Sequence, residues 1–69
     1  MPDQSEWETK AANLLKAELK RQGVTYAQLA DRIGDKEVNI RNKLSRGKFS
    51  AAFFIQCLEA VGAKDLRLA

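Results

Sequence analysis

Between Lys36 and Lys48 the chain sets Lys36, Arg41, Lys43, Arg46 and Lys48 against one carboxylate, Glu37, with Asn39 and Asn42 among them. Five cations against one anion give this stretch +4, leaving the rest of the chain at −1 of its total of +3. A cationic segment beside a near-neutral body is the electrostatic footprint of a protein that meets a polyanion. The amides add a second capability. An Asn can bond adenine through N6 and N7 at once, Arg or Lys can reach guanine O6 and N7, and an exposed Val can meet a thymine methyl. Glu37, Val38, Asn39, Arg41, Asn42 and Lys43 are therefore the candidate base-reading residues. Lys36, Arg46 and Lys48, at the margins of the stretch, are placed for phosphates, as are Tyr26 and Gln28 at the positive end of an earlier helix.

Other chemistry lacks its parts. The chain has no His and a single Cys, Cys57, no glycine-rich phosphate loop, and no nucleophile with a neighbouring base. Neither acid–base nor covalent catalysis can be assembled from this inventory, so no enzyme activity, cofactor or metal is expected. Cys57 falls on an apolar helix face and reads as a small buried hydrophobe. At 69 residues the chain makes one domain, and such a domain buries only about 60% of its unfolded surface. Met1 to Lys10 is polar and acidic, so no leader is expected. No apolar run approaches the roughly 20 residues of a membrane span. A lone thiol fits a reducing cytoplasm.

These residues need helices to position them, and apolar spacing predicts four, over about 6–22, 25–33, 36–45 and 51–61. Ser5 with Glu8 reads as a capping box opening the first helix, whose apolar face comprises Trp7, Ala11, Leu14, Leu15 and Leu19, with Trp7 as a lid on the core. Thr25 with Gln28 opens the second, Val24 and Leu29 forming a staple; Tyr26, Leu29, Ala30 and Ile33 keep helical spacing and Gly34 closes it. Asp35 is the expected N-cap of the third helix. That helix turns only Ile40 and Leu44 inward, so either it is marginal or its outer face is held for something other than stability. Ser50 caps the fourth helix, which supplies Phe53, Phe54, Cys57, Leu58 and Val61 to the core. The alternation from Lys64 to Ala69 suggests a short extended tail.

Two short helices joined by a tight glycine turn, the second basic and amide-rich, form the layout of a helix-turn-helix. From Leu14 to Gly62 the sequence resembles the Cro/C1-type domain of the lambda-repressor-like fold. The matching residues are Gly23-Val24-Thr25 leading into Leu29-Ala30, then Ile33-Gly34, Ile40, Leu44, Arg46-Gly47-Lys48 and the apolar helix after them. The stretch from Arg46 to Phe54 also looks like a group of short bacterial proteins of uncharacterised function. Three departures stand out. Tyr26 occupies the place of the family's phosphate-gripping Gln, one extra residue lies between Gly34 and Gly47, and Ser45 replaces an acidic residue before the Arg-Gly exit.

The resemblance implies an all-α bundle of four to five helices, and a small transcriptional regulator of the bacterial cytoplasm or nucleoid that binds double-stranded DNA with its third helix in the major groove. The alternative is a protein-interaction module on the same fold. No membrane partner is expected. A single unit covers one half-site, so a weak homodimer through Leu66, Leu68 and the first helix is a further expectation.

Overall fold

Thr25 organises the chain around it. Its hydroxyl accepts from the Gln28 N–H at 3.1 Å, and the Gln28 side-chain carbonyl accepts from the Thr25 N–H at 2.9 Å. This closed capping box starts one helix of an all-α fold. The computed structural model describes residues 4–66 and contains α1 (Gln4–Gln22), α2 (Tyr26–Ile33), α3 (Glu37–Arg46) and α4 (Ala51–Ala60). No strand occurs among the described residues.

The helices assemble because each carries one apolar stripe. Leu15 and Leu19 from α1, Leu29 and Ala30 from α2, Ile40 and Leu44 from α3, and Phe53 and Cys57 from α4 meet in one core, with Val61 closing it. α1 and α2 each pack against both α3 and α4, so every helix buries its stripe between two others. Ser50 caps α4, its hydroxyl accepting from the Phe53 N–H at 3.0 Å. Phe49 stands before that cap and stacks on Phe54 at 6.0 Å. Burial pushes the Cys57 thiol up to about 11 from its ordinary 9.0, so it stays protonated as a packing group.

Several boundaries differ from the sequence expectation. α1 begins at Gln4, so Ser5 lies inside the helix and is not its cap; an N-cap must be non-helical, and the Ser-x-x-Glu spacing does not mark the start here. Trp7 is no lid: it is 55% exposed. The buried stripe of α1 runs through Ala12, Leu15 and Leu19, and Trp7 stands about 80° round the helix from Leu15, beside Lys10 instead. The cap position of α3 is Lys36, not Asp35, and α3 continues through Ser45 to Arg46 because Gly47 supplies the left-handed stop. α4 ends at Ala60, with Val61 as its C-cap. Residues 63–66 form neither helix nor strand, Leu66 is half-buried, and Arg67, Leu68 and Ala69 lie outside the described residues.

Candidate nucleic-acid interface

α3 is attached by two side chains. Ile40 and Leu44 are its buried residues, and they lie one turn apart on the same face. The opposite stripe consists of Val38, Asn42 and Ser45, all exposed, with Val38 at 51%. The Asn42 side chain has no hydrogen-bond partner among the described residues. These groups do little for the fold.

The two flanks of α3 behave differently from its outer stripe. On one side Asp35 gathers three partners. Its Oδ1 accepts from the Lys36 N–H at 2.7 Å and from the Asn39 amide at 3.0 Å, while Oδ2 lies 3.6 Å from Lys43 Nζ. The Asn39 bond, then the Lys36 N–H, hold the Asp35 carboxyl below its ordinary 3.8. Lys43 is half-buried, and its ammonium sits 4.3 Å from the centre of the Phe53 ring, so it ties α3 to α4. On the other flank Arg41 pairs with Glu37 one turn earlier. Asn39, Arg41 and Lys43 are thus engaged within the chain, whereas Val38 and Asn42 are not.

The cations at the ends of α3 are open. Lys36 before it and Arg46 and Lys48 at its exit are exposed, with no ion-pair partner among the described residues. Both turns that carry them are glycine-dependent. Gly34 (φ 71°) closes α2 with its N–H on the Ala30 carbonyl, and only Asp35 and Lys36 then separate it from α3. Gly47 (φ 70°) is buried, and a Cβ there would lie 2.7 Å from the Glu8 carbonyl oxygen. The exit turn therefore rests directly on α1, and Arg46 and Lys48 leave from a fixed point.

At the start of α2, Tyr26 is half-buried against the core and Gln28 is exposed. The capping box takes the Gln28 carbonyl and the N–H groups of Thr25 and Gln28 but leaves the Gln28 NH₂ available, along with the N–H groups of Tyr26 and Ala27 in the first helical turn. Residues 7–66 match the domain of unknown function DUF6471. The chain belongs to that family. The DUF6471 region takes in all of α2, α3 and α4 and the α1 surface from Trp7 onward. No curated protein and no solved structure matches the chain.

Three contributors escaped the sequence reading. Asp35 organises a flank of α3 and does not cap it; its spacing of four from Asn39 is the one signal that pointed there. Arg32 donates to the Ala60 carbonyl at 3.1 Å, capping α4 from 28 residues away in sequence. Glu18 is buried and paired with Arg21. Among the described residues no group of His, Cys, Asp or Glu could hold a metal ion, and no helix is long and apolar enough to cross a membrane.

Proposed function

We propose that this domain is a small DNA-binding regulator in which α2, the Gly34 turn and α3 act as a helix-turn-helix, with α3 in the major groove, as in the lambda-repressor-like proteins it resembles. The observation that carries the reading is the outer stripe of α3. Val38 and Asn42 are exposed, serve no packing purpose, and lie between unpaired cations at the two ends of the helix. At ten residues α3 is about 15 Å long, and the major groove is about 12 Å wide with phosphates along both rims. Lying along the groove, α3 has a phosphate rim on either side, which the cations at its ends can reach while the stripe between them meets base edges. Tyr26 and Gln28 add phosphate contacts from the start of α2, where the helix dipole favours an anion.

Two copies are needed to cover a full site, with their α3 helices about 34–36 Å apart. The exposed Trp7 on α1 and Ile55 on α4, with the half-buried Leu66, are apolar groups open to that contact. The same Trp7 favours the second reading, a protein-docking module; co-purification with a partner that survives nuclease and high salt would support it. The deciding measurement is fluorescence anisotropy of the full chain with labelled duplex DNA. Binding near 50 mM salt that weakens steeply as salt rises is the expected result. No binding at that salt overturns the proposal.

A further inference from the structure

We infer that α3 selects A·T pairs, with Val38 on a thymine methyl and Asn42 on an adenine. The inference rests on the DNA-binding reading and adds which bases the helix recognises. Val38 and Asn42 are four residues apart, so they share one stripe and stand about 6 Å apart along the axis, close to two base-pair steps. Val38 offers only methyl groups, which match the thymine C5-methyl. Asn42 keeps both its carbonyl and its NH₂ free, and pairing with adenine N7 and N6 needs both.

Guanine would call for Arg or Lys; of the three cations within α3, Arg46 is its last residue and is assigned to phosphate, and the two nearer the middle are held. Lys43 is clamped between the Asp35 carboxylate at 3.6 Å and the Phe53 ring at 4.3 Å, and reaching a base would forfeit both contacts. Arg41 is paired with Glu37, and an exposed pair of this kind is weak on its own. Inside the groove its weight changes. Were Arg41 to leave for a base, the Glu37 carboxylate would stand uncompensated in the negative field of the DNA, so the pair stays closed where reading occurs. Asn39 is also removed from the reading set, because one N–H of its amide donates to Asp35 at 3.0 Å and holds the group toward that carboxylate, a bond it would forfeit in turning to a base.

The test is selection of the full chain on a randomised duplex pool near 50 mM salt, followed by sequencing and by substitution of uracil for thymine in the enriched duplex. The expected outcome is enrichment of two A·T pairs about two steps apart in each half-site. Uracil, which lacks the methyl, should weaken native binding about fourfold for each half-site, as one buried methyl predicts, and weaken Val38→Ala much less. Asn42→Ala should lose between about fivefold and about 150-fold of its preference for the adenine pair. Both positions are exposed, and unchanged far-ultraviolet circular dichroism verifies that the variants are folded. Enrichment of G·C pairs, retention without enrichment, or indifference to uracil overturns the inference while DNA binding stands. Retention of no duplex overturns the DNA-binding reading and this inference with it.

Discussion

Replacing Gly47 by Ala should be far more damaging than replacing Gly34 by Ala, although both residues hold nearly the same left-handed conformation at φ 70° and φ 71°. Left-handed backbone costs an L-residue about 1–2 kcal/mol, and the stiffer unfolded chain returns about 0.4–1 kcal/mol. Gly34→Ala should therefore cost about 1 kcal/mol, because a Cβ there meets nothing within 4 Å. At Gly47 the new Cβ would stand 2.7 Å from the Glu8 carbonyl oxygen and 2.8 Å from its carbon. Both are backbone atoms inside a helix, so relief requires moving α1 as a whole, an overpacking cost of about 1–3 kcal/mol. Gly47→Ala should then cost about 2–4 kcal/mol in all. A domain of this size loses about 4–8 °C of melting temperature per kcal/mol, so a difference of about 1–3 kcal/mol separates the two variants by about 4–24 °C. Thermal melts followed by circular dichroism at 222 nm give the comparison. Equal shifts would refute the argument, since they would mean that α1 can leave the exit turn at no cost.

Three further outcomes follow from the geometry. Arg46→Ala and Lys48→Ala should each flatten the salt dependence of DNA binding by about 0.9 in log–log slope, whereas Arg41→Ala, already paired with Glu37, should leave the slope nearly unchanged; a salt titration of the three variants measures this. Leu29→Ala, at a fully buried position, should cost about 2–5 kcal/mol and Trp7→Ala, 55% exposed, within about 0.5 kcal/mol, as read from urea unfolding. Folding raises the Cys57 thiol from 9.0 to about 11, so the folded state holds a proton the unfolded chain has lost. The associated stability is full below pH 9 and falls as pH rises to about 11, a loss on the order of 2 kcal/mol; Cys57→Ala should flatten the decline relative to the native chain.

The all-α fold was legible because its signals are local. Apolar residues recur at helical spacing, and Thr25 and Ser50 precede helices whose N–H groups they cap. Boundaries failed where two residues competed for one role. Asp35 is as good a cap type as any, but its carboxylate serves Lys36, Asn39 and Lys43, and the cap position passes to Lys36. Trp7 failed for another reason. Its spacing to Leu14 is helical, yet the core lies on the side of Leu15 and Leu19, and which side of a helix meets its neighbours is decided by elements far along the chain. The reach of Arg32 to the Ala60 carbonyl and the seat of Gly47 on Glu8 are long-range in the same sense.

The candidate interface shows how charge counted along a sequence differs from charge available at a surface. Five cations between Lys36 and Lys48 form one patch when read in line. Folding divides them by helical position: Arg41 and Lys43 fall on flanks where each pairs with a carboxylate, while Lys36, Arg46 and Lys48 fall at the ends, and no carboxylate among the described residues pairs with their head groups. The division separates two tasks that the sequence runs together. Long-range attraction depends on net charge, which pairing leaves unchanged, so the patch still draws a polyanion. Contact depends on which head groups are free to move, and only the terminal cations are. If α3 enters a major groove as proposed, a helix whose middle is neutralised and whose ends are charged would grip the groove rims without pulling its central side chains toward phosphate. On the proposed DNA-binding reading, Val38 and Asn42 are then the side chains left for the bases, which is the condition that selective reading requires.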